Sequence, residues 1–184
     1  MFYKDERIAL FIDGISIYTT AKILNMDIDY KLLREEFMRR GKLVRAFYYT
    51  ALPDTDDVNP LRPLVDYLSY NGYRTVTKYV REYTDEVGNR RMKNNMDVEL
   101  AVDAMEMADT IDHAIIFSGD GSLLPAVEAL QRKGVRVSVV STVSTSHSRT
   151  PVVADKLRRQ ADNFIDLENL RSVIARPPRC EAAE

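Results

Sequence analysis

The sequence predicts an α/β protein, a three-layer α/β/α sandwich around a mostly parallel central sheet. Three observations carry this prediction. Five short apolar runs are each followed by an amphipathic segment, the alternation of a parallel sheet covered by helices. Gly41, Gly72 and Gly134 stand where a helix should stop and a strand begin. The chemically unusual residues collect just after the apolar runs, where ligands sit in open α/β sheets.

The runs are Ile8–Ile12, Leu43–Thr50, Tyr73–Val80, Ala114–Ser118 and Val135–Val140. Helices are expected near Ser16–Leu24, Tyr30–Arg40, Pro60–Asn71, Met96–Ala108, Leu123–Lys133 and Val152–Gln160. Phe164 to Leu167 adds a late strand with a short helix after it. Gly88-Asn89, between Tyr83 and Met92, suits the turn of a small hairpin or flap. Pro53 to Pro63 is a loop, and Ser141 to Thr150 is a Ser/Thr-rich loop. We place one domain over residues 1–170 and a C-terminal tail over 171–184, frayed from Arg176 onward.

Length and charge bound the rest. The 184 residues fit one domain at about 100–200 residues each. With 45% hydrophobic and 29% charged residues, wholesale disorder is excluded. No stretch approaches the roughly 20 apolar residues of a membrane span. The start, Met1 to Arg7, carries acids and leads straight into a strand-like run, unlike a secretory leader. The single cysteine, Cys180, suits a reducing cytoplasm, and two histidines with one thiol nearly exclude a Cys/His zinc site.

Three carboxylates stand out. Asp13 ends the apolar run Ala9-Leu10-Phe11-Ile12, and Gly14 leaves room for a close approach to the backbone. Asp120 follows the strand His113 to Phe117 within the stretch Ser118-Gly119-Asp120-Gly121-Ser122. Each is also a natural N-cap for the helix that follows, and Ser122 is an equally good cap for the second. Asp97 falls at the first turn of a helix, near the centre of an arc formed by Val98, Leu100, Ala101, Ala104, Met105, Met107 and Ala108. Asn94 or Asn95 can cap that helix and leave Asp97 available. Glu99, Asp103 and Glu106 share the opposite side, which reads as a solvated face.

Charge distribution adds to this. Asn95 to Ser122 holds seven acids and no Lys or Arg. Converging carboxylates without a basic neighbour call for a hard divalent cation, and Mg²⁺ or Mn²⁺ fits oxygen ligands. Lys31 to Arg45 and Arg74 to Lys93 are net basic, as a phosphodiester partner would require. Most of these bases are ordinary solvated positions, but Arg90, Arg91 and Lys93 closely precede Asp97.

These segments, Ile8 to Gly14, Arg45 to Thr50, Met96 to Ala104, Phe117 to Gly121 and Ala161 to Leu167, resemble the NYN domain family, LabA-like type, over roughly residues 7 to 170. The resemblance implies a PIN-like nuclease fold and a metal-dependent ribonuclease. Asp13, Asp97 and Asp120 match the family's acidic metal-binding positions. Three departures accompany the match. Ser16 stands where family members commonly have Asn, and Ser122 where they commonly have a second Asp, which weakens the case for a second metal. Lys93-Asn94-Asn95-Met96 replaces the usual Lys-Gly before the helical acid.

The expected activity is therefore a cytoplasmic endoribonuclease that acts on RNA with Mg²⁺ or Mn²⁺ held by Asp13, Asp97 and Asp120. Ser16, Ser118, Ser122 and Asp103 are auxiliary residues, and Arg90, Arg91 and Lys93 contact the RNA. The alternative is a regulatory module that binds metal and RNA but hydrolyses poorly. A Ser/His/Asp hydrolase would need His113 or His147 beside a nucleophile, and no G-x-S-x-G elbow is present. The oligomeric state is open, with a homodimer the case to test.

Overall fold

The computed structural model describes residues 2–53, 60–80, 82–84, 90–92, 95–143 and 152–177, with Pro53, 82–84 and 90–92 as backbone only. Six strands form an all-parallel sheet: β1 (Arg7–Asp13), β2 (Lys42–Pro53), β3 (Arg74–Val80), β6 (His113–Phe117), β7 (Arg136–Ser141) and β8 (Asn163–Asp166). Between β3 and β6 in the chain, β4 (Glu82–Thr84) and β5 (Arg90–Met92) pair as a separate antiparallel hairpin. The hairpin was legible in the sequence; its Gly88-Asn89 turn lies outside the described residues, as do 54–59 and 144–150 of the two predicted loops.

The sheet order is β3-β2-β1-β6-β7-β8. The chain builds outward from β1 to one edge and then returns to the far side of β1 through β6. The reversal opens a crevice at the carboxyl ends of β1 and β6, the topological switch point where α/β folds bind ligands.

Alternation along β1 divides the core. Ala9 and Phe11 face one layer, where Phe11 stacks on Phe47 at 5.4 Å between ring centres. That layer holds α4 (Asp97–Met107), α5 (Leu124–Arg132) and α6 (Asp155–Gln160), through Leu100, Val127, Leu130 and Leu157. Ile8, Leu10 and Ile12 face the other, made of α1 (Gly14–Ile23), α2 (Tyr30–Arg40), α3 (Arg62–Tyr70) and α7 (Arg171–Ile174). Five consecutive buried residues, at roughly 1.5–3 kcal/mol for each large apolar side chain, anchor the strand that ends at Asp13.

Four expectations need correction. Residues 171–177 are not a tail. Ile174 is fully buried, the Asp29 amide donates to the Ile174 carbonyl at 2.8 Å, and the Arg176 amide donates to the Asp27 carbonyl at 2.8 Å. An apolar residue at 174 and two long-range backbone bonds hold the segment against α2.

The helix expected from Val152 begins only at Asp155, because the Ala154 amide is taken by the Gly119 carbonyl at 2.9 Å. Gly72 and Gly134 do adopt left-handed φ, +82° and +83°, but Gly41 is extended at −174°.

The arc drawn on α4 holds only in part. Leu100, Ala104 and Ala108 are buried as expected, but Val98 is 70% exposed, and of the three acids expected to be solvated only Glu106 is exposed, while Glu99 and Asp103 are half-buried. Asp103 accepts a hydrogen bond from the Tyr49 hydroxyl at 3.0 Å, and Glu99 pairs with Lys78 of β3 at 2.8 Å. Polar partners on β2 and β3 let two acids face inward, a long-range fact that helical periodicity does not contain.

His113 does lie beside a serine. Its Nε2 is 2.7 Å from Ser138 Oγ and its Nδ1 is 3.3 Å from Glu6. Both His113 and Ser138 are fully buried, and they sit toward the opposite end of the sheet from the crevice. The trio is a core network with no route for a substrate.

Candidate metal centre

Asp13 closes β1 and caps α1, its Oδ1 accepting the Ile15 amide at 3.0 Å. The helix begins at Gly14, not Ser16, and the glycine is demanded by packing. A Cβ there would lie 2.7 Å from the Tyr49 carbonyl oxygen and 2.9 Å from the Tyr48 ring. The close approach foreseen at Gly14 comes from the protein's own β2.

Asp120 lies one strand over, after β6. It caps a 3-10 turn, Gly121–Leu123, its Oδ1 accepting the Ser122 amide at 2.8 Å. Asp120 therefore takes the capping role that Ser122 could have filled. Two serines hold the turns together: Ser16 Oγ accepts the Gly119 amide at 3.0 Å, and Ser118 Oγ accepts the Asp120 amide at 3.1 Å. Gly119 is wedged so tightly that a Cβ would come within 2.3 Å of the Val152 carbonyl oxygen. Any side chain there displaces the loop that carries Asp120.

Asp97 comes in from the first turn of α4. Asn95 holds it twice, accepting the Asp97 amide at 2.8 Å and donating to its Oδ2 at 2.6 Å. The same oxygen accepts the Ser122 hydroxyl. Ser122 thus joins two of the three acids, Asp97 through its side chain and Asp120 through its amide. Asn94 lies outside the described residues.

Asp13 lies within electrostatic reach of the other two acids. The Asp13 carboxyl is raised above the ordinary carboxylate range, first by burial and then by the negative charges of Asp97 and Asp120, against the opposing amides of Ser16 and Ile15. Ion pairs account for several neighbouring acids: Asp112 with Arg7 at 2.7 Å, Asp109 with Lys133 at 3.0 Å and Glu99 with Lys78 at 2.8 Å. Among the described residues, no cation pairs with Asp13, Asp97 or Asp120.

The donor set is all oxygen and anionic, which fits Mg²⁺ or Mn²⁺. As they stand, no three acidic, His or Cys side chains among the described residues form a closed metal-binding cluster. Asp13 and Asp120 each keep one oxygen outside their capping bonds. A shallow depression of about 260 Å³ lies at the site, lined by Asp13, Ser16, Thr19, Asp120 and Val152.

Of the predicted auxiliary residues, Ser16, Ser118 and Ser122 are all brought into the site. Asp103 is not, because its carboxylate is committed to Tyr49. The side chains of Arg90, Arg91 and Lys93 lie outside the described residues. Thr19 and Val152 went unnoticed in the sequence. Thr19 sits one helical turn beyond Ser16, and Val152 follows the β7 loop, so spacing from Asp13 and strand order were the available signals.

A neutral side chain at Asp13 relieves its electrostatic penalty. Asp13→Asn, which retains an oxygen for the Ile15 amide, should raise the melting temperature of metal-free protein at pH 7 by about 2–4 °C, the shift of about 1 kcal/mol in a domain this size. For a carboxyl raised on folding, the penalty is present above its folded pKa and fades as pH falls to the ordinary value. The gain should therefore shrink on acidification from pH 7 to pH 4; a gain of equal size at both would contradict the assignment.

The fold and site define an α/β protein with acids gathered at the switch point of a parallel sheet. The NYN domain family matches this chain over residues 7–168, and the chain belongs to that family. It is 33% identical over 185 residues to the low amplitude and bright protein LabA of Synechococcus elongatus, covering 98% of this chain and 94% of that protein. A crystal structure of a protein of unknown function from Vibrio parahaemolyticus shares the fold, with a TM-score of 0.70 at 24% identity, over 91% of this chain and 96% of that one. The six-stranded parallel sheet flanked by helices is the PIN-like fold expected from the resemblance. Among the described residues, no helix is long and apolar enough to cross a membrane.

Proposed function

We propose that the protein is a metal-dependent endoribonuclease, with Asp13, Asp97 and Asp120 holding one Mg²⁺ or Mn²⁺. The observation that carries this reading is a half-buried Asp13, raised first by burial and then by the charges of Asp97 and Asp120, with no basic partner among the described residues. Such an arrangement is costly unless a cation joins it. When bound, the ion would polarise the scissile phosphate and lower the pKa of a water.

The chain's own residues set the geometry for that chemistry. Asp13 offers its carboxylate from the end of β1, an interior strand buried over five consecutive residues. Ser122 and Asn95 orient Asp97, and the Ser16 and Ser118 bonds hold the Asp120 turn against α1. Arg90, Arg91 and Lys93, on or beside the hairpin strand β5, are proposed to meet RNA phosphates. RNA is the proposed partner because basic segments flank the acidic one in the sequence.

A second reading, a regulatory module that binds metal and RNA but cleaves poorly, is favoured by one observation. One of the two carboxylate oxygens of Asp97, Oδ2, is already engaged by Ser122 and Asn95.

Labelled RNAs incubated with purified protein, with and without Mn²⁺, separate the two. Wild type should cleave only with metal, Asp13→Asn should lose at least about 100-fold in rate, given what metal-bound water contributes, and Asp120→Asn should do the same. If wild type binds both metal and RNA yet cleaves none, while Ser122→Asp cleaves, the regulatory reading replaces the enzyme. Metal-independent cleavage that survives Asp13→Asn would overturn the proposed site.

A further inference from the structure

A second depression, of about 290 Å³, lies against the same helix that carries Ser16 and Thr19. Its floor is apolar, made by the buried Met26, Ile28 and Tyr30. Its rim carries Tyr18, 64% exposed, with Lys22 on α1 and Arg176 after α7. Arg176 pairs loosely with Asp27 at 3.7 Å, and Lys22 has no acidic partner among the described residues. Next to it lies a larger depression of about 620 Å³ that shares Met26, Asp27 and Arg176 and adds Arg171.

The two ends of α1 are thus chemically different. At its N-terminal turn is the carboxylate cluster; farther along, Tyr18 and Lys22 are both exposed on the flank adjoining Ile15 and Thr19. From Ser16 to Lys22 the helix advances about 9 Å at about 1.5 Å per residue. That is two to three nucleotides at about 3.4 Å per stacked nucleotide.

We infer that the Tyr18–Lys22–Arg176 depression is a nucleotide subsite for single-stranded RNA, in which Lys22 takes a phosphate two to three nucleotides from the one at the acidic site and Tyr18 stacks a base between them. An exposed aromatic ring, an apolar floor and rim cations are the features that grip an unpaired nucleotide: the ring stacks the base and the cations take the phosphate. The inference rests on the nuclease reading, since it treats the acidic site as the point where the strand is cut. It adds what that reading lacks, a preference for unpaired RNA and a direction along α1.

The test uses the full chain and a fluorescent single-stranded oligoribonucleotide, with affinity measured by anisotropy in EDTA so that cleavage does not intervene. Tyr18→Ala should weaken binding by about 5–150-fold, the range for losing one base stack, and Tyr18→Phe should restore it. Lys22→Ala should lower the slope of log affinity against log salt by about 0.7, the value for one single-strand phosphate contact. Duplex RNA, whose bases are paired, should bind Tyr18→Ala and wild type alike. With Mn²⁺ present, Tyr18→Ala should raise KM and leave kcat unchanged.

Both side chains are exposed, so neither change disturbs the core. If Tyr18→Ala and Lys22→Ala match wild type in affinity and salt slope while wild type binds and cleaves RNA, the subsite is wrong and the nuclease reading stands. A Tyr18→Phe variant as weak as Tyr18→Ala would overturn the stacking role. No binding of single-stranded RNA by wild type would overturn both.

Discussion

Mn²⁺ should raise the melting temperature of the wild-type protein by about 5–11 °C at a concentration 100 times its Kd, and should move Asp97→Asn by less than about 2 °C. A ligand that binds only the native state adds about 2.7 kcal/mol at that saturation, and about 1 kcal/mol moves the transition by about 2–4 °C in a domain of this length. The effect is large because the three acids meet without a compensating cation, so the ion relieves repulsion as well as making bonds. Asp97 is the informative position. It is held by Asn95 and Ser122 at the start of a helix, where asparagine can keep most hydrogen bonds and lose only the charge. Differential scanning with Mn²⁺ and with EDTA measures both proteins. An equal rise in both would show that Asp97 is a helix-terminal residue and not a ligand.

The sequence made the two strand-borne acids readable for a local reason. An apolar run that ends in Asp and then enters a helix needs no long-range information, and Asp13 and Asp120 both have that form. Their capping roles were equally local, and the structure shows both carboxylates acting as caps while each keeps an oxygen outside its capping bond. What could not be read was how distant groups meet. The Ser122 hydroxyl reaches Asp97 across 25 positions, Tyr49 reaches Asp103 across 54, and the Gly119 amide reaches Ser16 across 103. Helical periodicity placed Asp97 correctly at a first turn but assigned Asp103 to solvent, because the pattern counts apolar side chains and cannot see a buried tyrosine hydroxyl opposite. The C-terminal segment failed in the same way. Ile174 is one apolar residue in a polar stretch, and its importance lies in the pocket that α2 and the 24–29 turn present to it.

The last expectation concerns acid, and it arises far from the metal centre. His113 is fully buried at the start of β6, between Ser138, Glu6 and the ring of Phe2. Burial, aided by the nearby Arg136 charge and opposed by Glu6, lowers its pKa from 6.5 to about 4. Glu6 remains tied to Arg136 at 2.7 Å, so its charge is shared and does not rescue the imidazolium. A histidine depressed on folding binds protons in the unfolded chain first. Its neutral form therefore supports stability above the unfolded value of 6.5, and that support is lost as pH falls toward about 4. Over the whole window the loss is on the order of 3 kcal/mol, at about 1.4 kcal/mol per pH unit. Between pH 6.5 and pH 5, before most carboxylates titrate, about 2 kcal/mol of it should already have appeared. Urea titrations at half-unit intervals would resolve this slope. His113→Gln should be less stable at pH 7, having lost a fitted side chain, but its stability should be nearly flat from pH 6.5 to pH 5. A wild-type curve equally flat across that interval would mean that His113 takes up its proton without unfolding, and that the Glu6 carboxylate, not burial, governs it.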